Sequence, residues 1–164
     1  ITATGLNLVT MGKTVISVDG KAINFGEHFN YKGVMFNDIP NFASVFGYIN
    51  ASWTLRADLI CTYVCRLLNH MRDTGTRQCT PQLRDDEHNM PRRPWIDGFS
   101  SGYMQRVMHL MPSQGDREPW INPQNYDKDK KMFREGAVDD GVMQFTNAAA
   151  ASNHTHADSR VAAS

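Results

Sequence analysis

Charge of one sign is what this sequence most plainly lacks. Its 164 residues carry 17 Lys and Arg against 17 Asp and Glu, a formal net charge of zero. A general binder of nucleic acid or of anionic membrane would show a basic excess, so both classes are excluded. Long hydrophobic runs are missing too. No segment approaches the roughly 20 apolar residues of a membrane-spanning helix, and membrane association is not indicated. The three cysteines are too few, and odd in number, for a disulfide scaffold, and point to a reducing, cytoplasmic setting. GxSxG, HExxH, GxxxxGK[ST] and GxGxxG are all absent, so no motif supplies a nucleophile with its base or a loop that cradles phosphate. The chain opens Ile1-Thr2-Ala3-Thr4-Gly5 with neither an initiator Met nor a secretory leader. It reads as a fragment or processed chain whose first strand is already under way.

What is present is globular. A hydrophobic content of 41% excludes a disordered chain, and the length suits one domain or one domain with a tail. Residues 1–48 read as β. Val15-Ile16-Ser17-Val18 and Ala22-Ile23-Asn24-Phe25 flank Asp19-Gly20-Lys21, and Asp-Gly tolerates the positive φ of a tight hairpin. Residues 31–36 read as another strand and 37–41 as a turn around Pro40. The nearly continuous apolar run 42–47 suits a strand buried on both faces.

The strongest periodicity follows. Leu55, Leu59, Ile60, Tyr63, Val64, Leu67, Leu68 and Met71 recur at spacings of three and four, which predicts an amphipathic helix over 52–73. Arg56, Thr62, Arg66, Asn69 and Arg72 fall mostly on its other side. Asn50 or Ser52 can cap its start and Gly75 can close its end. Pro81, Pro91 and Pro94 among mixed charges make 76–98 an irregular surface segment. A shorter helix is expected from Ser100 or Ser101 to Met111, with Val107, Met108 and Met111 inward and Pro112 as its stop. A solvated helix over 127–135, a short strand over 142–145 and a disordered tail over 147–164 complete the reading.

Candidate chemistry sits where the apolar run meets the long helix. Ligands of open α/β sheets bind beyond strand ends near helix N-termini, where free N–H groups attract negative charge. Asn50-Ala51-Ser52-Trp53-Thr54 can therefore hold an anionic or electron-rich ligand, with Trp53 as a stacking surface. The competing reading is a well-capped core helix with a buried Trp. Cys61 and Cys65, four apart, lack the spacing of a metal knuckle and read as small buried hydrophobes. His70 reads as a helix C-terminal cation, and His154 with His156 as an unspecific tail pair. Asp85-Asp86-Glu87 beside Arg92-Arg93 reads as a solvated loop. Tyr103, Met104 and Met108 read as core, the competing reading being the lining of a substrate pocket or of a small-ligand carrier.

The order of segments resembles a known family. Thr2-Ala3-Thr4-Gly5-Leu6-Asn7, Tyr31-Lys32-Gly33-Val34-Met35, Asp38-Ile39-Pro40-Asn41-Phe42 and Phe46-Gly47-Tyr48-Ile49-Asn50-Ala51-Ser52-Trp53-Thr54 are similar to flavin-dependent monooxygenases. Ala57-Asp58-Leu59, Tyr63-Val64-Cys65-Arg66-Leu67-Leu68, Phe99-Ser100-Ser101-Gly102-Tyr103, Gln124-Asn125-Tyr126 and Val138-Asp139-Asp140-Gly141 extend the likeness to about Phe145. The nearest subgroup is the Baeyer–Villiger-type enzymes similar to the mycobacterial ethionamide-activating monooxygenase.

The resemblance implies an α/β fold: the C-terminal part of a two-dinucleotide-binding-domain, Rossmann-like flavoprotein, with a β-hairpin and strands, a long amphipathic helix and a second shorter helix. Residues 1–75 would finish the FAD-binding domain, 76–146 would form a C-terminal extension with a helix near 100–111, and 147–164 a disordered tail. It implies FAD and NADPH as cofactors, O2 as oxidant, and a ketone, sulfide or amine as substrate. It also implies the missing N-terminal part of the same chain as partner. By position, Thr4 and Gly5 would lie in the return from the NADPH domain. Gly47, Asn50, Ala51, Ser52, Trp53 and Thr54 would approach the flavin. The fragment alone is expected to be inactive, because the glycine fingerprints lie upstream. The alternative is a non-enzymatic interaction module built on the amphipathic helix 52–73.

Overall fold

The computed structural model describes residues 7–98 and 101–147. Its first hairpin follows from turn chemistry. Asp19 and Gly20 adopt φ of 50° and 79°, the paired positive values of a two-residue turn. They join β1 (Ser17–Val18) to β2 (Lys21–Ala22), with Val18 opposite Lys21. Lys21 therefore belongs to a strand and not to the turn.

The second sheet departs from the expected single strand over 31–36. Lys32 and Gly33 also take positive φ, 55° and 67°, so the chain reverses in mid-segment. β3 (Asn30–Tyr31) pairs antiparallel with β4 (Met35–Phe36), and Asn30 Oδ1 accepts the Gly33 N–H at 2.8 Å. An Asx-type bond and a glycine at φ > 0 overrode the β-propensity of the flanking residues. Residues 42–47 form no strand. They alternate exposed and half-buried from Asn41 to Phe46, and Ser44 N–H donates to Val34 O at 2.8 Å.

α1 (Trp53–Thr74) is the long helix, 22 residues and roughly 33 Å at 1.5 Å per residue. Leu59, Ile60, Tyr63, Leu67 and Met71 are buried as the periodicity requires. Leu55 and Leu68 are exposed instead, and Arg56, expected on the polar side, is fully buried. Gly75 closes the helix at φ 67°, with Gly75 N–H to Arg72 O and Thr76 N–H to Met71 O, the Schellman arrangement. Because the apolar stripe is consumed by the protein's own core, it is not the free docking face the interaction-module alternative needed.

Beyond α1, segment 76–98 is more ordered than expected. β5 (Gln78–Pro81) pairs antiparallel with β6 (Met143–Thr146), and Met90, Trp95 and Ile96 are buried. Glu87, expected in a solvated loop, is also buried, receiving Arg84 N–H and the Arg84 guanidinium at 2.8 and 3.0 Å. α2 (Gly102–Val107) runs on into a short 3-10 turn, Met108–Leu110, with Met104 and Met111 buried. α3 (Tyr126–Arg134) starts on Asn125, whose side chain accepts Lys128 N–H at 3.1 Å. It is not simply solvated: Asp129 and Phe133 are fully buried.

The fold is thus α/β, with three two-stranded antiparallel sheets among the described residues. The principal core gathers Tyr31, Leu59, Tyr63 and Leu67 from before residue 75 with Trp120, Phe133, Val142 and Met143 from after it. Packing of α1 on α3 fixes where the N-terminus of α1 points.

Candidate functional site at the start of the long helix

Helix α1 begins without a side-chain cap. Ser52 occupies the N-cap position, yet its hydroxyl pairs with Thr54 Oγ1 at 2.9 Å and caps no backbone N–H. No acidic residue lies in the first turn. Residues 50–54 are all exposed, so the amides and the positive end of the helix dipole stay available to a negatively charged group. Trp53 is not the buried tryptophan of the competing reading; it is 49% exposed.

The approach to this end is shaped by Gly47. A Cβ there would sit 2.4 Å from Trp53 Cδ2, so only glycine lets the loop lie against the indole. Phe46 meets Trp53 edge-on at 4.8 Å and Trp95 at 4.4 Å. Gln124 clamps the same loop, accepting Ile49 N–H at 3.0 Å and donating to Gly47 O at 3.3 Å. Beside Phe46 lies an apolar pocket of about 220 Å³. Thr4 and Gly5, the other expected contacts, lie outside the described residues, as do Phe99, Ser100, His154 and His156.

One turn into α1, Arg56 anchors the helix start. Its Nε donates to Asp129 Oδ2 at 3.1 Å, and its Nη1 to Phe46 O at 2.8 Å. Its Nη2 reaches Lys32 O at 3.3 Å. Both members of the ion pair have side chains with 0% exposure. Gly33 makes room: a Cβ there would lie 2.6 Å from Arg56 Nη2. Tyr48 Oη and Asp129 Oδ1 are buried without a well-formed hydrogen bond. Burial first, then the neighbouring Asp129 carboxylate, hold the Tyr48 hydroxyl well above the ordinary tyrosine value. Sequence reading missed Asp129 and Gln124, because each joins the loop or α1 only through a contact spanning more than 70 residues. A helical period places polar residues but does not say which of them lies inside.

A second, larger cleft of about 720 Å³ includes Lys32, Met132 and Asp140 in its wall. Its buried lysine is already engaged: Lys32 Nζ lies 2.9 Å from Asp140 Oδ2, which also accepts the Tyr31 hydroxyl at 2.6 Å. Burial lowers the Lys32 pKa despite that partner. Burial alone would raise Asp140, but the Tyr31 hydroxyl and the Lys32 ammonium outweigh it and hold the carboxyl below its usual value. Among the described residues no group of three or more His, Cys, Asp or Glu is placed to hold a metal. Cys61 and Cys65 are exposed thiols, not buried hydrophobes, and His70 packs on Phe145 at 4.5 Å. No helix among the described residues is long and apolar enough to cross a membrane.

Comparison with known proteins gives one consistent result. No protein-family model matches, and no solved structure matches. The chain is 43% identical over 157 residues to MymA of Mycobacterium tuberculosis, named for an FAD-containing monooxygenase, covering 96% of the chain and 31% of that relative. It is 42% identical over 151 residues to the FAD-containing monooxygenase EthA of Mycolicibacterium smegmatis, covering 92% of the chain and 30% of EthA. The EthA of Mycobacterium tuberculosis is 42% identical over 145 residues, 88% of the chain and 29% of the relative. The chain thus spans about a third of the length of these proteins. Over that shared third, it belongs with the FAD-containing monooxygenases.

Proposed function

We propose that this chain is the C-terminal, flavin-facing part of an FAD- and NADPH-dependent monooxygenase of Baeyer–Villiger type. In this reading the Rossmann-like nucleotide folds come from the two thirds of such proteins that the chain does not span. The observation that carries it is the identity of 42–43% over 88–96% of the chain to proteins named FAD-containing monooxygenases. The residues present fit the group: an uncapped helix end free of acidic side chains, with an exposed Trp53 held over Gly47.

Asn50, Ala51, Ser52, Trp53 and Thr54 would hold the flavin, with Gly47 giving the close approach and Thr4 and Gly5 adding contacts from the preceding connection. Bound flavin would supply the electron transfer and O2 activation that amino-acid side chains lack. The protein's own part is binding, orientation and exclusion of water. The amides at the start of α1 favour negative charge by about 0.3–1 kcal/mol, more when buried. Trp53 and Phe46 would present apolar surface to the bound group and so help keep water from it. Arg56 and Gln124 fix the loop and helix start relative to each other. The substrate is a ketone, or a sulfide or amine, and O2 supplies the transferred oxygen atom.

The test is a chimera in which this chain replaces the matching third of the M. smegmatis relative. The expected product purifies yellow with FAD and oxidises NADPH, and Trp53→Ala perturbs the flavin absorbance. A folded chimera without flavin would overturn the assignment. The chain of residues 1–164 alone should retain no flavin and oxidise no NADPH; bound flavin with turnover there would refute the division of labour.

A further inference from the structure

The larger cleft, of about 720 Å³, carries a nucleophile that the monooxygenase reading leaves unused. Lys32 lines it, and so do Asp140 and Ala137, the two residues that meet its ammonium. Lys32 Nζ lies 2.9 Å from Asp140 Oδ2 and donates to Ala137 O at 3.3 Å. The rings of Tyr31 and Tyr63 lie 4.7 and 5.2 Å from it. The side chain keeps 6% of its surface exposed. Because both polar partners border the cleft, a small molecule reaches the nitrogen from there. Burial lowers the Lys32 pKa, the Asp140 carboxylate opposes that, and Arg66 adds to the lowering. A lysine so placed holds more free amine near neutral pH than an exposed one, the property that suits lysines to Schiff-base chemistry.

The counter-ion decides what this amine can accept. An acyl group would turn it into a neutral amide and strand the Asp140 carboxylate, whose side chain is only 19% exposed, and a largely buried charge without its partner is costly. An aldehyde leaves the positive charge in place. We propose that Lys32 captures a small aldehyde from the cleft as a protonated imine, with Asp140 as its counter-ion. The nitrogen bonds to the carbonyl carbon, and the carbon–oxygen bond breaks. Two of the three ammonium protons leave with that oxygen as water, and the third stays on nitrogen. Charge is conserved, and no oxidant or reductant is consumed. Asp140 keeps its ion pair and its hydrogen bond from the Tyr31 hydroxyl, 2.6 Å long. Pro119 and Met132 supply apolar wall for a short carbon chain. The small exposed area at Lys32 favours an aldehyde over a bulkier ketone. The capture needs no flavin and stands apart from the monooxygenase reading.

The test treats the chain of residues 1–164 with propionaldehyde and cyanoborohydride at neutral pH, the reductant serving only to trap the imine as a secondary amine. Peptide mapping by mass spectrometry then reads each lysine over time. Lys32 should be trapped on the order of tenfold faster than Lys128 and Lys131, exposed lysines on the same cleft. Unfolding in urea should abolish that preference. Ala137→Trp, at an exposed position of the wall, should block the approach and slow trapping at Lys32 while leaving Lys13 and Lys21 unchanged. Lys32→Arg keeps a cation opposite Asp140 and should lose the fast phase alone. Trapping at Lys32 no faster than at the exposed lysines would overturn the proposal. So would a preference that survives urea, or one that Ala137→Trp leaves untouched. If Lys32→Arg does not fold, the map of the unaltered chain still decides.

Discussion

Arg56 and Asp129 are buried together at 0% side-chain exposure, and the cost of separating them is set by what remains behind. Removing the carboxylate leaves a guanidinium without its counter-charge, so Asp129→Ala should lower stability by about 3–5 kcal/mol in urea unfolding. An Arg56→Met, Asp129→Leu double variant should lose less than the single one, since no charge is then stranded. The Lys32–Asp140 pair adds a dependence on pH. Asp140 is held below its usual pKa, chiefly by Tyr31 and Lys32 against the opposing effect of burial. The folded protein therefore binds fewer protons there than the unfolded chain. Its stabilisation is present above the unfolded carboxyl value of about 3.9 and is lost as pH falls through the lower folded value. Asp140→Asn should flatten that acid limb in unfolding measured from pH 5 downward. Lys32, lowered by burial, adds stability as pH rises towards its unfolded value of about 10.4.

At the scale of elements, the helix ends carry the clearest local energetics. Gly75 has φ 67° and open space where a Cβ would go, so Gly75→Ala meets only backbone strain, about 1 kcal/mol. Gly33 shares that φ but faces Arg56 Nη2 at 2.6 Å, so Gly33→Ala adds a clash with the buried guanidinium. Thermal unfolding should rank Gly33→Ala well below Gly75→Ala. Asn125→Ala removes the only side-chain cap of α3 and should cost about 1 kcal/mol, again read by thermal unfolding. The long helix, its glycine stop and the Asp-Gly hairpin were legible in the sequence because each is set by neighbours within a few residues. The reversal at Lys32-Gly33 was written there too, as a Lys-Gly step after Asn30, but the apolar residues around it read more loudly as one strand. β5 was hidden by its proline. Pro81 ends the strand opposite Met143, and only the partner strand some 60 residues later makes a ladder of it.

For the whole molecule, the core decides what can stand alone. Leu59, Tyr63 and Leu67 of α1 are covered by Trp120, Phe133, Val142 and Met143 from the second half of the chain. A piece ending at residue 75 would expose that stripe. It should show no cooperative unfolding transition, whereas residues 7–147 should, as followed by circular dichroism in urea. Some apolar surface remains uncovered in the chain itself, at Val9, Val45, Trp53 and Leu55, near the pocket and the helix start. In the proposed full-length enzyme the flavin and the other two thirds of the protein bury it. Hydrogen exchange in residues 42–55 should accordingly be slower in the chimera than in the isolated chain.

Charge neutrality, the absence of a spanning run, the length of α1 and the order of segments shared with flavin monooxygenases were all determined by the sequence, because composition and short-range periodicity survive without knowledge of contacts. Which polar residues lie inside was decided only by the tertiary structure. Arg56 and Lys128 are alike in charge, yet one is fully buried and the other exposed. The difference is whether a distant carboxylate and free backbone carbonyls happen to converge on the guanidinium. The unpaired Trp95 N–H is likewise invisible in the sequence, since a missing partner is a property of the space around a group and not of its neighbours in the chain.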